Sequence, residues 1–481
     1  MSGLTVFGLH RFFLLARALS IPSSRQHQNQ TELTSALDRC LPTVTIQLPI
    51  FNEKHVVKRL INAVCNLDYD IEKLEIQVLD DSTDNTKKFV DEAVDYWRNK
   101  GYPIDVIRRC GREGFKAGAL AAGLARSSGQ FVVIFDADFI PAPEFLKAAL
   151  PEFTQENIGM VQARWAHYNR HQSLLTEAQA ILLDGHFIIE QHARWAMDVW
   201  FNFNGTAGVW RRKCIEEAGG WAHETLTEDL DLSYRAQMKG WSFKYVNQLT
   251  VESELPTELS AFRSQQHRWA KGSIQVAQKL MPKIVSGPFG LRRKFEATCH
   301  LLANLNYLCV TALCLSVPML LLSNREDIIF SQVGHHLFLI GAMCFGLFYV
   351  GSQFKQQPLY RACLLLPVVF AIGLGLCINN TRAVLEALAR HTSPFIRTPK
   401  HGSDLAMNKP RRLYKVPSSK LIDIIEVGLL SIYLVCFVHC VRHSQWHHLP
   451  LIVLFCAAFS ANLWTKFSWT KPLTPPMRPT E

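Results

Sequence analysis

The sequence predicts a protein in two parts: an α/β half with a Rossmann-like nucleotide-binding core, then interfacial helices leading into a transmembrane helix bundle. Three observations predict it. Short β-branched apolar runs alternate with stretches of helical periodicity between about residues 44 and 150. Acidic residues stand directly after three of those runs, at Glu53, Asp80–Asp81 and Asp136 with Asp138. Beyond His300 long apolar stretches take over, in a chain of 481 residues whose 48% hydrophobic content is high for a wholly soluble enzyme.

Residues 4–21, "LTVFGLHRFFLLARALSI", are apolar but carry His10, Arg11 and Arg17, which are costly at the centre of a bilayer. An interfacial amphipathic helix or the remnant of a shortened span is expected there, rather than a cleaved signal peptide, since no small-residue cleavage site follows. Residues 22–41 are polar and without periodicity, a linker closing an N-terminal segment 1–41. "TVTIQLPIFNE" then reads as a strand running into Glu53, followed by the helical spacing of "VVKRLINAVCNL". "LEIQVLDDSTDNT" repeats the design, "IDVIRR" into "GFKAGALAAGLA" is a third unit, and "QFVVIFDADFIPAPEFLKAAL" a fourth. Strands alternating with helices imply a parallel, doubly wound sheet, and ligands in such sheets bind beyond the carboxyl ends of the strands. Glu53, Asp80, Asp81, Asp136 and Asp138 therefore gather on one rim. Carboxylates so crowded repel one another unless a cation or a hydrogen-bonded ligand offsets them.

The pair Asp136 and Asp138 suits a hard divalent ion, Mn²⁺ or Mg²⁺, because alternate residues leaving a strand can turn two oxygens toward one diphosphate-bridging cation. No GxGxxG follows the first strand, which disfavours a dinucleotide-binding dehydrogenase. "TLTEDLDLSYRAQMKGW", residues 225–241, brings Glu228, Asp229 and Asp231 to a helix start where Thr227 is the expected cap and acids complement the helix dipole. His186 reads as a packed helical histidine and Asp231 as a structural acid.

The net charge of +10 and pI near 9.0 do not point to nucleic acid, because the bases sit beside apolar segments, as in "RRLYK" at 411–415. Thirteen cysteines without a CxxC pair give neither a disulfide framework nor a zinc site, as expected for a domain facing the cytosol. Four crossings are expected, over residues 300–322, 336–351, 421–441 and 449–464. A crossing at 364–378 would put the basic segment 382–420 outside, against the positive-inside tendency, so this stretch is expected to lie in the interface. Residues 258–280 and 291–298 are expected to be interfacial helices too.

The ordered motifs "QLPIFNE", "VLDDSTD", "GFKAGAL", "FDADF", "FNGTAGVWRR", "TLTEDLDLSYRAQMKGW" and "SQQHRWAKG" resemble those of membrane-integrated glycosyltransferase family 2. They are especially similar to the cellulose-synthase-like enzymes, both bacterial members and plant mannan and xyloglucan-backbone synthases. The resemblance runs from about residue 41 to 470. It implies a GT-A type mixed sheet over 42–257, interfacial helices with the QxxRW motif over 258–299, and a transmembrane region over 300–470 with an interfacial helix and gating-like loop at 361–420.

By that resemblance Asp80 and Glu53 hold the nucleotide, Lys116 meets the diphosphate, Asp136 and Asp138 bind the metal, and Asp229 is the general base. Arg268 would lie on the donor diphosphate. Trp269 would stack on the acceptor, with Glu228 and the stretch Asn204, Gly205 and Thr206 at the acceptor end. "FIRTPK" is similar to a gating loop that closes over the donor; Phe395, Thr398 and Lys400 match it and Arg397 departs from it.

The chemistry agrees: glycosyl transfer needs cations for the leaving diphosphate and a carboxylate to take the acceptor proton. The expected protein is thus a processive, inverting β-glycosyltransferase that polymerises glucose or mannose from UDP-glucose or GDP-mannose and passes the growing glycan across the bilayer. The alternative is a non-processive transferase with a lipid acceptor. The catalytic domain is expected in the cytosol, at a bacterial inner membrane in preference to a Golgi membrane.

Overall fold

Helix α1 (Ser2–Leu19) precedes the catalytic domain in sequence. The computed structural model describes residues 2–21, 41–322, 328–391 and 420–467. The α/β units follow in the expected order: β1 (Val44–Ile50), α2 (Val57–Cys65), β2 (Leu74–Asp80), α3 (Thr86–Asn99), β3 (Ile104–Ile107), α4 (Phe115–Leu124), β4 (Phe131–Ile134) and α5 (Phe145–Ala149). β1 and β4 are buried almost throughout because they lie inside a sheet covered on both faces. Then come β5 (Ile158–His167) and α6 (Leu174–Asp184), which continues through a π-helical stretch, Gly185–Gln191, into α7 (His192–Ala196). β6 (Gly208–Arg211), α8 (Arg212–Glu217), α9 (Glu228–Met238) and β7 (Ser242–Ser253) complete the domain.

The strands form one mixed seven-stranded sheet of order β3-β2-β1-β4-β6-β5-β7. β1, β2, β3 and β4 are mutually parallel, as the alternation predicts. β6 runs antiparallel to β4 and β5, so the doubly wound pattern stops at the DxD strand. One apolar layer packs Val57, Leu60, Ile61, Val90 and Val94 beneath the sheet; Leu120, Ile215, Leu232 and Trp210 belong to the other. The carboxyl ends of β1, β2 and β4 open on the same rim.

The long helix α10 (Leu259–Ser286) carries the QQHRW motif, and α11 (Leu291–Leu301) follows it. Beyond them are α12 (Asn306–Leu322), α13 (Ile328–Ser352), α14 (Leu359–Gly375), α15 (Cys377–Leu388), α16 (Lys420–Arg442) and α17 (Leu449–Phe467). Among the described residues three helical segments are long and apolar enough to cross a membrane, Ala303–Leu322, Lys420–Arg442 and Trp446–Leu463. Among the described residues the apolar part of α13, His336–Ser352, is shorter than these three segments. The stretch expected to lie in the interface, 364–378, falls mostly in α14, which with α15 forms a helix bent by 41° and passes the same test only as a pair. At the bend the amide of Asn462 donates to the carbonyl of Gly375 at 2.9 Å, giving a helix-end acceptor a partner inside the bundle.

Two buried ion pairs tie α10 to these helices. Arg263 grips Glu426 of α16 with both guanidinium nitrogens at 3.0 and 2.7 Å, and fully buried Lys271 meets Glu386 of α15 at 3.0 Å. Removing one partner of such a pair strands a buried charge, at a cost of about 3–5 kcal/mol. Glu426→Ala should therefore markedly lower the thermal unfolding temperature of the protein in nanodiscs. Arg263→Met/Glu426→Met should recover much of the loss, and a double variant no more stable than either single one would contradict the pairing.

Candidate active site

The rim begins with Asn52, just past β1, whose φ of +56° turns the chain sharply. Its side-chain oxygen accepts from Thr83 N–H at 2.8 Å, and its own N–H donates to Ser82 Oγ at 2.9 Å. The turns after β1 and β2 are thereby tied together, and Glu53 and Asp81 line one cavity. Asp80, expected to hold the nucleotide, is not among the residues that line it. Its carboxylate is consumed by Arg108 Nε at 2.8 Å and Ser82 N–H at 3.0 Å. Successive residues leaving a strand face opposite ways, so Asp81 takes the cavity position, ion-paired with Arg109.

Asp136 and Asp138 follow β4 and line the same cavity. The Asp136 N–H donates to Thr206 Oγ1 at 2.9 Å, so buried Thr206 braces the DxD turn rather than lining the cavity. Lys116, in the first turn of α4, pairs with Asp136 and donates to the carbonyl of Gly205 at 2.9 Å. Gly205 has φ +83°, and a Cβ there would stand 3.0 Å from Oδ2 of Asp229. A side chain would be strained by the backbone and would crowd the carboxylate.

At the start of α9, Thr227 occupies the cap position without making a side-chain cap bond, contrary to the sequence expectation. The Leu230 N–H instead donates to Asp229 Oδ1 at 2.8 Å. Thr227 is packed against α10, where a Cβ on Gly272 would come within 2.5 Å of its methyl group; Gly272 permits that close approach. Asp231 turns inward to Arg235 at 2.7 Å and Lys279 at 2.9 Å, a structural acid as read from the sequence.

Asp229 has a different environment from Asp231. Burial first, and the neighbouring Glu228 charge second, push its carboxyl up to about 7 against the pull of Lys116 and Arg268. For Lys116 burial works against the charged form, but Asp136, Glu228 and Asp229 outweigh it and hold the ammonium above its usual range. A carboxyl poised near neutrality, with one oxygen beside Gly205, can take a proton from a hydroxyl brought to it. Arg268 and Trp269 enter the cavity from α10, and Trp269 lies 6.5 Å from the ring of Trp165 at an angle of 55°. Indole faces arranged in this way suit the apolar face of a sugar.

The cavity thus brings together Glu53, Lys116, Asp136, Asp138, Asn204, Gly205, Glu228, Asp229, Arg268 and Trp269. Phe395, Thr398 and Lys400 lie outside the described residues. Sequence reasoning missed Arg112, which lies 3.2 Å from the centre of the Phe51 ring over the cavity, and Trp165 and His167 on β5. No acid-bearing turn follows β5, so its only sequence signal is the aromatic and basic character of "RWAHY".

Among the described residues no group of three or more His, Cys, Asp or Glu side chains is arranged to hold a metal. The residues nevertheless fit a divalent ion shared with a substrate. Asp136 and Asp138 supply hard oxygens on an open cavity, and Mg²⁺-type sites commonly use one or two carboxylates plus substrate phosphates.

Residues 42–272 match the model of the glycosyltransferase-like family 2. The matched family is the one that the motifs of the chain resemble. The chain is 47% identical over 249 residues to glucomannan 4-beta-mannosyltransferase 2 of Arabidopsis thaliana, an alignment covering 51% of this chain and 47% of the relative. To glucomannan 4-beta-mannosyltransferase 1 of Oryza sativa subsp. japonica it is 44% identical over 249 residues, 51% of this chain and 48% of the relative. The chain thus spans about half the length of the curated relatives it matches. In structure it is similar to a mannosyltransferase of Pyrobaculum calidifontis solved in complex with GDP-Man and Mn²⁺, with a TM-score of 0.52, 18% identity, and coverage of 81% of this chain and 97% of that one. That likeness shows the GT-A type fold.

If Asp229 must be deprotonated to act, turnover rises as pH climbs through about 7 and levels off above it. Glu228→Gln removes a neighbouring negative charge, so the rising limb should move to lower pH. Initial rates between pH 5 and 9 check this, and a limb unmoved by the substitution would contradict the electrostatic assignment.

Proposed function

We propose that the protein is a membrane-associated, inverting hexosyltransferase that uses a nucleotide sugar to extend a β-linked glycan. The observation that carries this reading is the placement of Asp229 in one cavity with the Lys116–Asp136 pair, its carboxylate against Gly205 and raised toward neutrality. The named relatives are 4-beta-mannosyltransferases, which supports a mannosyl donor, GDP-mannose, over the UDP-glucose modestly preferred from the sequence.

In this mechanism Asp229 takes the proton of an acceptor hydroxyl as that oxygen attacks the anomeric carbon of an α-linked donor. The bond to the nucleoside diphosphate breaks as the new bond forms, so a single displacement gives a β-linkage without a covalent intermediate. Lys116 and Arg268 meet the negative charge accumulating on the leaving diphosphate. A divalent ion held by Asp136 and Asp138 would supply further stabilisation of that charge. Trp269 holds the acceptor sugar by stacking. Glu53 and Asp81 line the donor's nucleoside side of the cavity, and Glu228 with Asn204 and Gly205 the acceptor side.

The apolar helices support a bilayer location; in this reading the catalytic domain faces the cytosol, and the glycan is extended repeatedly and passed into the bundle behind α10. The plant origin of the relatives gives no support to the preference for a bacterial inner membrane. Purified protein in nanodiscs, given radiolabelled GDP-mannose or UDP-glucose separately with Mn²⁺ or Mg²⁺, tests the reading. A long polymer digestible by β-mannanase is the expected product. A single labelled sugar on extracted lipid would replace polymerisation with glycolipid synthesis, and no transfer from any nucleotide hexose would overturn the proposal. Asp229→Asn should lower transfer by about 10²–10⁴-fold while leaving donor affinity largely intact.

A further inference from the structure

The π-helical stretch Gly185–Gln191 lies between α6 and α7, and such wide turns inside a helix commonly mark functional positions. Its side chains reach the acceptor loop. Gln191 donates to Asn204 Oδ1 at 2.7 Å, which leaves the Asn204 NH₂ for His186 Nε2 at 2.9 Å. Since that amide nitrogen can only donate, His186 Nε2 accepts and the ring proton of the neutral imidazole sits on Nδ1. Nδ1 faces Glu190 at 3.1 Å, an acceptor for that proton. Glu190 is in turn held by Arg11 of α1 at 2.5 Å and by Arg194 at 3.5 Å. Arg194 meets Glu296 at 2.9 Å, and Glu296 meets His10 at 3.0 Å. One tautomer of one histidine is thus dictated by a buried charge network that begins in α1, and it ends one residue from Gly205, which lies against Asp229.

We propose that His186 is a positioning residue of this active site: accepting from Asn204 and donating to Glu190, it fixes the Asn204–Gly205 turn against Asp229. The proposal rests on the transferase reading of the cavity. His186 does not line the cavity and touches no reacting group. Asn204, with both ends of its amide engaged, acts by holding the backbone of Gly205 in place.

The experiment compares His186→Leu, which can do neither, with His186→Gln, which retains an acceptor and a donor, in the full chain in nanodiscs. Hydrogen exchange of the peptide covering residues 201–207 should be faster by about tenfold in His186→Leu as the turn opens locally, and substantially restored in His186→Gln. Misplacing the turn should lower kcat for transfer by up to about 10²-fold, with the donor KM little changed and a partial recovery of kcat in His186→Gln. Unchanged exchange at 201–207 in His186→Leu would overturn the proposal whatever the activity. So would a Gln variant no better than Leu, with donor KM, kcat and thermal stability falling together, which is the behaviour of a packing residue. Wild-type protein inactive with every nucleotide hexose would sink the transferase reading, and the exchange comparison would still decide whether His186 fixes the turn.

Discussion

Crowding of negative charge is the constraint around which the site is built. Glu53, Asp81, Asp136, Asp138, Glu228 and Asp229 line one cavity, and Arg112, Lys116 and Arg268 enter it among them. Arg109 neutralises Asp81 and Lys116 neutralises Asp136, while burial and Glu228 leave Asp229 close to neutrality. The same electrostatic strain that would destabilise an idle cavity makes it receptive to a cation carrying a diphosphate and gives one carboxylate an affinity for protons. Much of the surrounding structure serves to hold these groups close: the interlocked turns of Asn52 and Ser82, the Thr206 hydroxyl under the DxD, and Gly205 where a side chain would not fit.

The α10 helix connects this cavity to the membrane half. It contributes Arg268 and Trp269 to the cavity, closes on α9 through Gly272 and Lys279, and is anchored to α15 and α16 by buried ion pairs. The proposed reading, in which a glycan passes to the membrane bundle, needs the acceptor side rigidly joined to that bundle. Lys271–Glu386 and Arg263–Glu426 are chemically suited to the task because buried pairs tolerate few alternative geometries.

The first half of the sheet was legible because β1, β2 and β4 are apolar runs ending in acids, a pattern with one plausible topology. β6 was not, since four residues of "GVWR" carry no directional signal and their antiparallel pairing is set by tertiary contacts. In the site, Asp136 and Asp138 were singled out by motif and spacing and Lys116 and Asp229 by the family resemblance, and all four line the cavity. The role expected of Asp80 came from the resemblance; that Asp81 is the one lining the cavity was not legible, because the sequence does not say on which residue a strand's alternation ends. The Thr227 cap bond is not made, and its side chain lies against Gly272 of α10, a tertiary contact that the local sequence does not reveal. His186 looked inert for a related reason: its partners Glu190 and Asn204 are four and eighteen positions away, and a π-helical turn has no 3.6-residue signature to reveal the distant one.

The central claim is that Asp229 activates an acceptor for a single displacement at the donor's anomeric carbon. The configuration of the first-formed linkage tests it most directly, read by NMR of short products made from a ¹³C-labelled α-configured nucleotide hexose. The account predicts a β-anomeric signal from the earliest time point. An α-anomeric product would require two displacements or front-face attack, and would contradict the assignment of Asp229 as the base of an inverting reaction.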